Sequence, residues 1–133
     1  MIPAESAGLL DTSVVIDLVV SDPQALPRDP YISSVTLAEL GVGPLVAHTP
    51  EDRQQRQHVL QLAESSFDAL PFDASCARHF ASVADSLRRN GRKHTARAFD
   101  AFIAATALAH DLPLYTRNPR DFECITELDV RAV

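Results

Sequence analysis

The sequence predicts an α/β fold, a short-stranded, mainly parallel central sheet covered by helices on both faces. Two observations carry this expectation. Short apolar segments bounded by turn residues alternate along the whole chain with longer stretches of helical periodicity. Parallel neighbours need a crossover between them, and a helix in each gap supplies one. At 133 residues, with 46% hydrophobic and 23% charged residues, the chain is expected to form one globular domain over 1–133.

GLLD at 8–11 is a short apolar run ending in an acid, and reads as the first strand. Thr12 or Ser13 then caps a helix through VVIDLVV, weakened by its β-branched valines. Three prolines between Ser21 and Pro30 mark a loop. Tyr31 to Ser33 form a second strand and Val35 to Leu40 a helix, which Gly41, Gly43 and Pro44 end or kink. Thr49-Pro50-Glu51-Asp52 combines a capping hydroxyl, a proline at the first helical position and acids at the positive end of the dipole. That helix is expected to reach about Ser65, with Val59, Leu60 and Leu62 on its buried side. Ala69 to Phe72 read as the third strand. Asp73 caps a helix in which Cys76, Phe80, Val83 and Leu87 recur at helical spacing, closed by Asn90-Gly91. A long helix is expected from about Thr95 to His110, then a strand at Leu114-Tyr115. Asn118-Pro119 opens a short helical turn, and Asp129 to Val133 add a last strand.

Composition excludes several classes. The longest uncharged apolar stretch, Ala101 to Ala109, is half of what a membrane span needs. The opening MIPAESAGLLD has no basic segment ahead of an apolar one, so a cytoplasmic location is expected. Cys76 and Cys124, far apart and outside any CxxC pattern, read as two reduced thiols. The five histidines form neither HExxH nor a finger-like pairing with cysteine, and GxSxG, GxGxxG and Walker patterns are absent. Net charge is −6, yet Arg88, Arg89, Arg92, Lys93 and Arg97 fall in one short stretch without an acid between Asp85 and Asp100. Such a run is either a solvated helix end or a phosphate-binding strip.

In a parallel sheet, ligands gather beyond the carboxyl ends of the strands. Asp11 follows the first strand directly, and Asp121 lies on the turn after the fourth. Glu39 and Asp100 stand in apolar helices, and Asp100 is the only charge from Ala98 to Ala109. A lone acid in a central helix is costly unless paired or coordinated. Each has a plainer explanation as well: Asp11 as a helix cap, Glu39 as a solvated acid, Asp100 as a partner of Arg97, and Asp121 as half of a capping pair with Asn118. Taken together, four carboxylates form a donor set suited to a hard divalent cation, which relieves their repulsion and activates water at a phosphodiester.

The chain resembles the PIN-domain ribonucleases, and among them the VapC-type toxins of bacterial type II toxin–antitoxin systems. The resemblance rests on LLDTSVVIDL at 9–18, ISSVTLAELGVG at 32–43, RAFDAFIAATALAHDLPLYTRN at 97–118 and PRDFECI at 119–125, in that order. It implies a PIN-like three-layer α/β/α sandwich and a metal-dependent endoribonuclease using Mg²⁺, or alternatively Mn²⁺. Asp11, Glu39 and Asp100 match the family's three best-defined acids, and Asp121 the more variable fourth, which some relatives carry at the position of Asn118. Thr116 and Asn118, with a hydroxyl at Thr12 or Ser13, match polar residues that orient water or a carboxylate. Phe99 departs from the smaller residue many relatives carry, which bears on packing or groove shape. The resemblance further implies a cognate antitoxin lying in the groove, a homodimer, and a single-stranded RNA loop as substrate, with Arg88, Arg89, Arg92, Lys93 and Arg97 near its phosphates. Apolar residues at Val42 to Val46 and Val59 to Leu62 are the expected contact surface.

Two other readings compete. A receiver-type phosphoacceptor domain has a similar size and an acidic pocket, but needs an acid pair after its first strand and a lysine after its fifth; here the only lysine is Lys93. A non-catalytic PIN-like module binding antitoxin or RNA would show a broken acid set.

Overall fold

Leu9 and Leu10 are both fully buried, yet they belong to different cores. Successive strand residues point to opposite faces, so a strand buried on both sides must have a helical layer on each. The computed structural model, which describes residues 6–93 and 97–133, shows that arrangement. Its strands are β1 (Ala7–Leu10), β2 (Asp29–Ser33), β3 (Asp68–Leu70), β4 (Leu114–Thr116) and β5 (Val130–Ala132). Its helices are α1 (Thr12–Ile16), α2 (Ser34–Val42), α3 (Pro50–Ser66), α4 (Ala74–Arg89) and α5 (Ala98–Ala109). Among the described residues the sheet has five strands in the order β3-β2-β1-β4-β5, every pairing parallel.

On one face Leu9 and Leu114 pack with Val83 and Leu87 of α4, Ile103 and the alanines of α5, and Phe122. Small side chains on α5 let it lie close against sheet and neighbour. Phe102, at its outer side, stacks on Phe80 with ring centroids 4.8 Å apart and meets Phe72 edge-on at 5.1 Å. On the other face Leu10, Ile32 and Tyr115 pack with Val14 and Val15 of α1, Leu40 of α2 and Ala63 of α3. Cys76 is buried and Cys124 half-buried, both as free thiols.

Several boundaries differ from the sequence reading, each for a local reason. The helix after Asp11 stops at Ile16 and passes into a 3₁₀ turn, Leu18–Val20, whose Val19 and Val20 are 90% and 75% exposed. Valines that find no layer to pack against add nothing that offsets their poor helix propensity. β2 begins two residues early and includes Pro30, because its ladder to β3 starts only at Tyr31 and the proline lies where that side is an edge. β3 ends at Leu70, short of Phe72. α2 runs past Gly41 to Val42 before Pro44 tightens the chain into a 3₁₀ turn, Gly43–Val46. On α3 the residue fully buried is Ala63, while Val59, Leu60 and Leu62 are only half-buried. The expected helix start at Thr95 lies outside the described residues. Gly91, at φ 72°, closes α4 in the left-handed conformation that glycine adopts freely.

Candidate active site

β1 is where the sheet changes direction. The chain lays β2 and then β3 to one side of it, and returns to place β4 on the other. Segments leaving the carboxyl ends of β1 and β4 therefore diverge and open a crevice. Pairing of Leu10 with Tyr115 makes Asp11 and Thr116 the next residues on the two strands, and the Asp11 amide donates to the Tyr115 carbonyl at 2.9 Å.

Asp11 occupies the cap position of α1, but its carboxylate makes no capping bond. Ser13 Oγ and Thr116 Oγ1 each donate to Asp11 Oδ2 at 2.8 Å. Both hydroxyls accept a backbone amide in turn, Ser13 from Arg117 at 3.2 Å and Thr116 from Asn118 at 3.0 Å. Each hydroxyl proton is thereby turned toward the carboxylate.

Glu39 is not a solvated acid. It is half-buried, and Thr12 Oγ1 donates to its Oε1 at 2.6 Å while also meeting Thr36 Oγ1 at 3.0 Å. Burial raises the Glu39 pKa and the charge of Asp11 adds to the rise, against the Thr12 hydrogen bond, which lowers it. Thr36, fully buried one helical turn before Glu39, escaped the sequence reading; its signal was the three-residue spacing in VTLAEL.

Asp100 lies in the first turn of α5. Its pKa is pushed up to about 6, first by burial and then by the charges of Asp11, Asp121 and Glu39, with Arg97 opposing. The other three acids thus act on Asp100, and Asp11 acts on Glu39 as well. They do not close into a finished cage: among the described residues, no three of His, Cys, Asp and Glu stand ready to ligate one ion. The donor set is nonetheless all oxygen and rich in negative charge, which fits a magnesium-like cation that keeps several waters and takes few direct carboxylates.

Asp121 sits in a 3₁₀ turn, Pro119–Phe122. The capping pair expected with Asn118 does not form, because the Asn118 side chain makes no cap bond. The Asp121 carboxylate instead meets Arg97 Nη1 at 2.8 Å, and the same nitrogen is 3.8 Å from Asp100 Oδ2. Asn118 is exposed, and contributes through its backbone amide to Thr116.

The basic run divides. Arg92 turns inward, its guanidinium donating to the carbonyls of Arg120 and Asp121 at 3.1 and 3.5 Å and pairing with Glu123 at 3.3 Å. Arg89 pairs with Asp85, and Arg88 and Lys93 are exposed. Phe99, beside Asp100, is 42% exposed at the rim and packs in neither core. A groove of about 510 Å³, lined by Thr12, Ile16, Glu39, Leu40, Arg56 and Val59 among others, reaches Glu39 from the α1–α3 side. A larger hollow of about 760 Å³ on α3 contains none of them, and its glutamine-rich lining offers no comparable chemistry.

Comparison with known proteins bears on the family and the fold. The PIN-domain family matches residues 8–127. Ribonuclease VapC5 of Mycobacterium tuberculosis is 37% identical over 116 residues, covering 85% of this chain and 84% of its own. A tRNA(fMet)-specific endonuclease VapC of Shigella flexneri is 32% identical over 123 residues, covering 86% and 89%. Among solved structures, the VapBC-5 member of the VapBC toxin–antitoxin family from Mycobacterium tuberculosis superposes with a TM-score of 0.80 at 36% identity, covering 96% of this chain and 98% of that one.

Proposed function

The chain belongs to the PIN-domain family, among its VapC ribonucleases, and from that premise we propose how its residues work. It is an endoribonuclease, the toxin of a type II toxin–antitoxin pair. We infer that its activity depends on Mg²⁺ or Mn²⁺ held by Asp11, Asp100, Glu39 and Asp121, directly or through water. The observation that carries this reading is geometric. Ser13 and Thr116 brace Asp11 while the adjacent Thr12 holds Glu39, and one guanidinium, Arg97, meets both Asp121 and Asp100, whose raised pKa agrees with acids facing it. When bound, such a cation supplies charge neutralisation at the phosphate and a more acidic water.

The protein's own part is orientation. Ser13 and Thr116 load one oxygen of Asp11 and leave the other for the cation. Thr12 holds Glu39 from the buried side. Asp100, largely ionised above pH 6, stands at the start of a rigid buried helix, so its position costs little reorganisation during the reaction. Asn118 acts through Thr116, and Arg88 and Lys93 contact RNA phosphates, a role their exposure supports.

The cognate antitoxin is the protein partner, as in the solved toxin–antitoxin structures. Ile16, which lines the groove, and Val19, Val20, Val42, Leu45 and Val46 are exposed, apolar residues of the kind that partners cover. Val59 and Leu60, expected there too, are half-buried against the second core, and Val59 also lines the groove. The same reading takes the toxin as a homodimer acting on a single-stranded RNA loop in the cytoplasm; among the described residues no helix is long and apolar enough to cross a membrane. Its test is RNA cleavage by the purified chain with Mg²⁺, with EDTA, and as Asp100→Ala. Cleavage only by the metal-supplied wild type is expected; full activity of Asp100→Ala or in EDTA contradicts the reading.

A further inference from the structure

Arg97 stands between two of the four acids. Its Nη1 lies 2.8 Å from Asp121 Oδ1 and 3.8 Å from Asp100 Oδ2, and among the described ion pairs no other basic side chain meets Asp11, Glu39, Asp100 or Asp121. Its backbone is fixed, because its carbonyl accepts the Ala101 amide at 2.9 Å as α5 begins. Its side chain is not, being 39% exposed against partners 33% and 29% exposed. A charge pair with that much water around it is weak and easily exchanged. A guanidinium also keeps its proton at every working pH, so it remains a standing competitor for the carboxylates.

We propose that Arg97 is the built-in counter-cation of the acidic cluster: it occupies carboxylate oxygens that the divalent ion requires, and must give them up for the ion to enter. The guanidinium holds the empty cluster together, and sets the ion concentration at which the enzyme becomes competent. The proposal rests on the metal-dependent reading above. It also accounts for why the acids, as they stand, form no finished cage. One oxygen of Asp121 is bonded to Arg97, and the same guanidinium nitrogen stands 3.8 Å from Asp100.

The test is calorimetric titration of Mn²⁺ into the metal-free chain without RNA, comparing wild type, Arg97→Gln and Arg97→Lys. Removing one positive charge that competes for the same half-exposed carboxylates is expected to tighten binding roughly tenfold in Arg97→Gln. Arg97→Lys, which keeps the charge but not the planar fork, is expected to gain less, and stands in as the folded comparison. In EDTA, Arg97→Gln is expected to melt lower than wild type, and saturating Mn²⁺ to close that gap. Equal or weaker Mn²⁺ binding in Arg97→Gln overturns the proposal and leaves the metal reading intact. Absence of Mn²⁺ binding in every variant at millimolar concentration overturns the metal reading, and the proposal with it.

Discussion

Thr116 donates its hydroxyl proton to Asp11 Oδ2 at 2.8 Å across the ends of two strands that are 105 residues apart in sequence. The contact follows from register, since pairing Leu10 with Tyr115 leaves these as the next residues on β1 and β4. Thr116→Val keeps shape and burial while removing the proton. It is expected to lower the cleavage rate and metal affinity about 10–100-fold, the usual cost of losing a group that orients a ligand. Stability should fall by only about 1 kcal/mol in urea unfolding, because Ser13 still donates to the same oxygen. Thr116→Ser should restore most of the activity.

Metal-free stability should depend on pH in a particular direction. Asp100 has its pKa raised from 3.8 to about 6, so the folded state binds its proton more tightly than the unfolded state does. The resulting stabilisation is complete below 3.8 and is lost as pH rises through about 6. The protein in EDTA should therefore be more stable at pH 5 than at pH 7.5, by about 1 kcal/mol from this group. Glu39 is shifted the same way and adds to the effect. Asp100→Asn should flatten most of the difference in paired thermal melts at the two pH values; an unchanged slope contradicts the raised pKa.

Arg92 ties the end of α4 to the turn that carries Asp121, through the carbonyls of Arg120 and Asp121. Arg92→Gln is expected to reduce cleavage several-fold while leaving the far-ultraviolet circular dichroism unchanged. In an Asp121→Asn background the same change should cost little more, since residues acting through one group are not additive. Additive losses would separate Arg92 from Asp121 and return it to direct RNA contact.

How much of this was legible in the sequence depended on range. Asp11 after GLL, and Asp100 alone in an apolar helix, were readable because their signals are local: a strand end and an isolated charge. Asp121 was readable as a residue but not in its partner. Its spacing from Asn118 suggested a capping pair, whereas the contact made is with Arg97, 24 positions away and brought near only by packing of α5 against the turn. Within the basic run Arg97 was readable as a partner for Asp100, three residues on, but Arg92 was not distinguished, since a charge run does not say which members face inward. The helix after Asp11, read through VVIDLVV and weakened by its β-branched valines, ended early because Val19 and Val20 found no layer to cover them.

β1 passes close beneath the Tyr115 ring, where a Cβ on Gly8 would lie 2.4 Å from Tyr115 Cε1 and 3.1 Å from Pro27. Gly8→Ala is expected to cost about 1–3 kcal/mol in urea unfolding by forcing the ring off its rotamer. The loss should be largely relieved in Gly8→Ala with Tyr115→Leu, which removes the obstructing ring. Failure of that rescue would place the strain elsewhere than the β1–β4 contact.

The account depends most on carboxylates from four separate segments gathering around one hard cation. Anomalous diffraction from crystals soaked in Mn²⁺ tests this directly. The expected result is a strong peak within about 2.0–2.3 Å of carboxylate oxygens of Asp11 and Asp100, with Glu39 and Asp121 reached directly or through one water. A map at saturating Mn²⁺ with no peak there, or with the ion held elsewhere on the molecule, would contradict it.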